Sequence, residues 1–153
     1  ILFRDLTPLL ADPAAFEYTV AGIADQHRNR ALDAVVAIDA RGFLFGAPVA
    51  LKLSLPLVPF RKPNKLPPEV IGVDFELEYA KARLEARSDA LRAGMSVLIV
   101  DDLLATGGTA IAAARLIEQL GAGVDALAFV VELTDLNGRS ALDPHEVTSQ
   151  VQY

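Results

Sequence analysis

An α/β fold with a mainly parallel central sheet flanked by helices is what this sequence predicts, and three observations predict it. Short apolar, partly β-branched runs alternate with segments of helical periodicity, the pattern of strands joined by crossover helices. Apolar residues make up 52% of the 153 positions and charged residues 22%, which suits a sheet buried on both faces and not a disordered chain. No internal repeat, low-complexity tract or break in composition divides the chain, so one domain spanning residues 1–153 is expected.

Taken in order, Asp12 before Pro13 is a helix start, and Phe16, Val20 and Ile23 then recur at helical spacing, giving a first helix that runs to about Asn29. Residues 34–38 form a short apolar strand that ends at Asp39-Ala40-Arg41-Gly42, after which residues 43–53 read as a buried helix. A second strand at 57–60 delivers the chain to Arg61, Lys62 and Lys65, a basic stretch broken by Pro63 and Pro67 that reads as loop. Phe75, Leu77 and Tyr79 alternate with Asp74, Glu76 and Glu78, which is strand periodicity, and 84–87 supplies a partner arm. A flexible flap-like hairpin at about 72–88 follows. Residues 97–100 are a third buried strand, 101–108 a loop, 109–120 a helix closed by Gly121, and 126–131 a fourth strand.

Composition also excludes function classes. The formal charge of -6 and pI near 4.8 argue against a surface that gathers nucleic acid by releasing counterions. No apolar run reaches the roughly 18 residues a membrane helix needs, so a soluble protein is expected, and the absence of cysteine, which fits a reducing interior, makes cytoplasm the expected location. With no cysteine there is no disulfide framework, thiolate nucleophile or thiolate metal site. His27 and His145 stand alone in the sequence, and we expect a helix-surface and a loop histidine, not metal ligands. The first residue, Ile1, opens neither a leader nor a native start, so a truncated N-terminus is expected.

The segment richest in chemistry is VLIVDDLLATGGTAIAAARLI, residues 97–117, in which a buried strand ends in two acids and a Thr-Gly-Gly-Thr turn opens a helix. Ligands of open parallel sheets bind beyond the carboxyl ends of strands, and free amides at a helix N-terminus attract phosphate. Gly107 and Gly108 permit close backbone approach, Thr106 and Thr109 add hydroxyl donors, and Ala105 to Thr109 thus form a phosphate cradle without a lysine. Acids beside a phosphate site make sense if Asp101 and Asp102 accept hydrogen bonds from the hydroxyls of a sugar whose phosphate lies in the turn. A ribose 5-phosphate meets that description. The pattern is neither GxxxxGK[ST] nor GxGxxG.

VLIVDDLLATGGT resembles the phosphoribosyl pyrophosphate motif of the type I phosphoribosyltransferases. FRDLTPLL at 3–10, ARGFLFGAPVA at 40–50, RKPNKLP at 61–67 and LEY at 77–79 are similar to the adenine-specific members, and the likeness covers nearly the whole chain. It implies the type I phosphoribosyltransferase fold with its flap or hood hairpin. It also implies purine salvage: transfer of the phosphoribosyl group to adenine, releasing AMP and pyrophosphate, with Mg²⁺ held through substrate and water and no metal site of the protein's own. By the same resemblance the chain forms a homodimer and has its pyrophosphate near Asp39, Ala40 and Arg41, while its charge and hydropathy predict binding to neither nucleic acid nor membrane. Arg61, Lys62 and Lys65 would add positive charge there, across a dimer interface. Ile1, Phe3, Arg41 and Leu103 are expected around the adenine, Glu78 as the proton carrier, and Tyr79 as a flap residue over the site.

Two other readings stand beside this one. Another purine base is compatible with the same ribose phosphate turn, although the related hypoxanthine and guanine enzymes carry an aspartate where this chain has Ala105. A noncatalytic regulator that senses phosphoribosyl pyrophosphate is the second, and neither a basic recognition helix nor a basic charge balance supports it.

Overall fold

The computed structural model describes residues 4–153. Its elements in order are α1 (Thr7–Ala11), α2 (Pro13–His27), β1 (Ala34–Ile38), α3 (Arg41–Leu53), β2 (Leu57–Phe60), β3 (Val70–Glu76), β4 (Lys81–Arg87), β5 (Ser96–Leu104), α4 (Gly108–Gln119), β6 (Gly123–Glu132), a 3₁₀ turn (Thr134–Leu136), α5 (Gly138–Ala141) and β7 (Glu146–Gln152). Five strands form one parallel sheet in the order β2-β1-β5-β6-β7, and β3 and β4 form an antiparallel hairpin.

Strand alternation explains why the parallel strands read as continuous apolar runs. On β1 and β5, Val36, Ile38, Val97 and Ile99 join one core with α4 and the hairpin, while Val35, Leu98 and Val100 join a second core with α2 and α3. The hairpin is therefore no free appendage: Val73, Leu84 and Ala86 are buried in the first core. Its second strand, β4, is also tied to the residue after β2, where Arg61 N–H donates to the Glu85 carbonyl at 2.8 Å and Glu85 N–H to that of Arg61 at 2.7 Å. On the other face, α3 presses so close to β1 that a Cβ on Gly46 would lie 2.4 Å from the Ala37 Cβ.

Chain order fixes where a ligand can sit. From β1 the chain passes outward to β2, and from β5 it passes the opposite way to β6, so a crevice opens between the carboxyl ends of β1 and β5. The segments leaving those two ends are 39–41, where the family resemblance implies pyrophosphate, and 105–109, where the turn pattern predicts phosphate.

Several boundaries differ from the sequence reading. The helix expected over 43–53 starts at Arg41, the one expected at 109 starts at Gly108, and the strand expected to stop at Val100 continues through both acids to Leu104. Partner hydrogen bonding decides the last case, because β6 extends alongside and pairs Asp101 with Phe129 and Leu104 with Glu132. Alternation at 75, 77 and 79 is strand only to Glu76; Leu77 and Ala80 close a tight turn, with Leu77 N–H donating to the Ala80 carbonyl at 2.7 Å. His27 is not on a helix surface. It continues the stripe of Phe16, Val20 and Ile23 at helical spacing, so it is buried, with Nδ1 hydrogen-bonded to the Ile23 carbonyl at 2.8 Å. His145 does lie outside helices and strands, half-buried.

The start signals hold where side chains act locally. Asp12 caps α2, accepting from Ala14 N–H at 3.0 Å and Ala15 N–H at 3.2 Å, and Gly121 ends α4 at φ +85. Among the described residues, no helix is long and apolar enough to cross a membrane.

Candidate active site

The crevice is a cavity of about 440 Å³ that gathers four segments distant in sequence. Asp39, Ala40 and Arg41 enter from the end of β1, Asp101 to Leu104 from the end of β5, Ala105 to Thr109 from the turn into α4, and Leu77 to Ala80 from the hairpin tip. Ile38, the last residue of β1, and Phe129, on β6 opposite Asp101, add apolar lining. The sequence reading did not select them; a site at the carboxyl ends of strands is the signal that points to such residues.

Gly107 adopts the left-handed region, with φ +92, and so lets the chain turn from β5 into α4 with its amides facing the cavity end of the helix. The first-turn N–H groups of a helix have no intrahelical acceptor and are available to an anion. Thr106 and Thr109 flank these amides.

Two acids share the floor. Asp101 accepts from the Asp102 N–H at 2.8 Å, and Asp102 meets the Arg41 Nε at 2.8 Å. Burial first, and then the adjacent Asp102 carboxylate, push the Asp101 carboxyl well above the usual carboxylate range, with Arg41 pulling weakly the other way. The close quarters require a glycine: a Cβ on Gly42 would stand 2.7 Å from Asp101 Oδ1.

At the end of β1, the Asp39 carboxylate is 3.3 Å from the Arg61 Nε and accepts from the Lys62 N–H at 3.3 Å. Arg61 also donates to the Lys65 carbonyl and lies 5.8 Å from the centre of the Phe43 ring. The three basic residues thus do not act alike: Lys62 lines a neighbouring cavity of about 860 Å³ under the hairpin, with Asp39, Lys81 and Arg83, whereas Arg61 and Lys65 line neither cavity. At the hairpin tip, the Tyr79 hydroxyl donates to Glu78 Oε1 at 3.0 Å, which holds the phenol proton more firmly than usual. Both residues stand exposed on the cavity rim. Leu103 is half-buried against the cavity, and Ile1 and Phe3 lie outside the described residues.

This layout has close relatives. The phosphoribosyl transferase domain family matches residues 10–149. The adenine phosphoribosyltransferase of Methanococcus maripaludis is 49% identical over all of this chain and 89% of its own length. The crystal structure of adenine phosphoribosyltransferase from Thermoanaerobacter pseudethanolicus is 48% identical and superposes with a TM-score of 0.97, covering 100% of this chain and 89% of that one. The chain belongs to the adenine phosphoribosyltransferases.

As a member of the adenine phosphoribosyltransferases it transfers the 5-phosphoribosyl group of phosphoribosyl pyrophosphate to adenine, giving AMP and pyrophosphate. It is an enzyme of purine salvage, not a regulator, and its base is adenine among the purines considered. The adenine phosphoribosyltransferase of Saccharomyces cerevisiae has been crystallised with adenine and D-2,5-dideoxy-2,5-imino-altritol 1,6-bisphosphate; it is 39% identical, with a TM-score of 0.90 over 98% of this chain and 87% of that one.

Proposed function

We propose that Asp101 and Asp102 hold the ribose hydroxyls, that Ala105, Thr106, Gly107, Gly108 and Thr109 enclose the 5-phosphate, and that Glu78 takes the proton of the base. One observation carries this reading: the paired acids, the helix-opening turn and the hairpin tip line the same cavity. A sugar lying with its phosphate at the α4 amides and its hydroxyls at the carboxylates spans that arrangement without stranding a charge. The yeast relative crystallised with adenine and a bisphosphate supports the same pairing of base and phosphate sites.

In the proposed reaction the bond from ribose C1 to the pyrophosphate oxygen breaks as adenine N9 bonds to C1. The N7 proton passes to the Glu78 carboxylate. Asp39, Ala40 and Arg41 border the departing pyrophosphate, with Arg61, Lys62 and Lys65 supplying positive charge nearby, and Arg41 and Leu103 also border the base. Ile1 and Phe3 complete the adenine site, and the Tyr79 ring excludes water when the tip is drawn in.

Mg²⁺ fits as an ion carried by the substrate. Asp101 and Asp102 offer hard oxygens beside the place proposed for the ribose. Bound with phosphoribosyl pyrophosphate, the ion would neutralise charge on the leaving group. Homodimerisation is consistent with the exposed Leu44 and Leu51 on α3, and the absence of cysteine with a cytoplasmic setting.

The test is a double Asp101→Asn, Asp102→Asn variant titrated with AMP by calorimetry. The proposal requires a large loss of AMP affinity, and wild-type affinity would refute the ribose assignment.

A further inference from the structure

Beyond the cavity, the backbone of the phosphate turn rests on a second element. Gly138, the first residue of α5, lies so close that a Cβ there would be 2.3 Å from the Ala105 carbonyl oxygen and 3.1 Å from its carbon. The contact is reciprocal, since a Cβ on Gly107 would be 3.0 Å from the Gly138 carbonyl oxygen and 3.4 Å from the Ala141 Cβ. Two glycines therefore meet backbone to backbone, and no flexible side chain stands between them to absorb a shift.

What holds α5 there is its next residue. Arg139 reaches back to Glu132, the last residue of β6, with Nε 3.0 Å from Oε1 and Nη2 on Oε2, and its Nη1 donates to the Val147 carbonyl on β7. Glu132 has a side chain only 5% exposed and takes two further donors, Ser149 Oγ at 2.7 Å and Gln152 Nε2 at 3.2 Å. The Arg139 guanidinium beside it holds its carboxyl below the usual range. A buried carboxylate with this many donors is an anchor with one geometry. It also sits on the strand end that steadies the turn: Glu132 is in register with Leu104, and Leu133 N–H donates to the Leu104 carbonyl at 2.9 Å.

From these contacts we infer that the Glu132–Arg139 pair is a positioning clamp: it seats Gly138 under Ala105 and Gly107 and so fixes the shape of the turn. The inference rests on the reading that this turn encloses the 5-phosphate. None of Glu132, Gly138 or Arg139 lines the cavity, so they act through the turn and not on the substrate. A Cβ at 138 must push the Ala105 carbonyl away and tilt the amides that follow it, and the penalty falls on ligands bearing the phosphate.

The experiment compares the affinities of the full chain for AMP and adenosine, together with KM for phosphoribosyl pyrophosphate and kcat. Gly138→Ala is expected to weaken AMP and raise that KM by about tenfold or more, as loss of a charge-assisted hydrogen bond would, leaving adenosine affinity within about twofold. Arg139→Met should do the same, and Arg139→Lys, which keeps the charge without the fork, should fall between it and wild type. Val20→Ala in the far core controls for stability: it should lower Tm while preserving the ratio of AMP to adenosine affinity. Thr109→Val probes the turn itself. If Thr109→Val weakens AMP selectively but Gly138→Ala and Arg139→Met match wild type, the clamp is wrong and the turn reading survives. If Thr109→Val leaves AMP affinity unchanged, the turn reading falls and takes the clamp with it. Should Gly138→Ala not fold, the two Arg139 variants decide alone, and equal losses of AMP and adenosine affinity in both would overturn the clamp.

Discussion

Arg41 Nε lies 2.8 Å from Asp102 Oδ2, so the first residue of α3 offsets one of the two adjacent carboxylates on the last turn-ward stretch of β5. The pair links the segment proposed for pyrophosphate to the one proposed for ribose. Arg41 also favours the ionised form of Asp101, the acid held far above its ordinary range. Replacing Arg41 by Met should therefore raise KM for phosphoribosyl pyrophosphate by about tenfold. Without the cation Asp101 ionises at higher pH, so the pH at which substrate binding is half-maximal should move upward. An unchanged pH profile of substrate binding would remove Arg41 from this role.

Asp101 carries a stability cost whose sign follows from its raised carboxyl. Well below the unfolded value of about 3.9 the group is protonated in folded and unfolded chains alike, and burial makes no difference. As pH rises, the unfolded chain ionises while the folded chain resists, so stability is lost until the folded carboxyl itself ionises. Asp101→Asn keeps an oxygen for the Asp102 N–H and removes that cost. The ligand-free variant should have a higher Tm than wild type at pH 7, with the gap narrowing to little at about pH 3. Calorimetric melts at the two pH values measure it; a lower Tm at pH 7 contradicts the argument.

Gly42 makes room for the same carboxylate. Because a Cβ would stand 2.7 Å from Asp101 Oδ1, Gly42→Ala must displace either the acid or the start of α3. Helix propensity alone favours alanine by about 1 kcal/mol, so a purely local view expects a more stable protein. The close contact reverses that expectation. We expect a Tm no higher than wild type and AMP affinity reduced about tenfold, read by calorimetric titration.

Much of this site was legible because its signals are local. Strand, acids, Gly-rich turn and helix follow one another in residues 97–117, and the Asp12-Pro13 helix start is a contact between near neighbours. What escaped depends on partners far along the chain. That β5 continues through Asp101 and Asp102 is decided by β6 lying beside it, and that Glu78 sits in a turn is decided by Ala80 closing on Leu77. The final strand β7, with its alternating polar residues, and the four-residue α5 are too weakly patterned to stand out. Gly138 is invisible for the same reason: nothing in NGRSA announces that Ala105 will lie against it.

Glu78 and Tyr79 occupy the two-residue tip of the hairpin, and both are exposed on the cavity rim. The Tyr79 hydroxyl hydrogen-bonds Glu78 Oε1 at 3.0 Å, so a carboxylate proposed to accept the base proton already has a donor on it. Glu78 Oε2 and the second lone pair of Oε1 would still be there to receive the N7 proton. Glu78→Gln keeps size and polarity but removes the basic oxygen, and kcat should fall by about 10²- to 10⁴-fold, the range for one positioned acid–base group, while KM for phosphoribosyl pyrophosphate changes little. Tyr79→Phe removes the competing donor and retains the ring; its kcat should stay within about fivefold of wild type, the hydroxyl's hydrogen bond being an exposed one worth little. Steady-state kinetics with adenine separates the two cases. If Glu78→Gln turns over like wild type, the proton leaves by another route, and the hairpin tip serves only to cover the site.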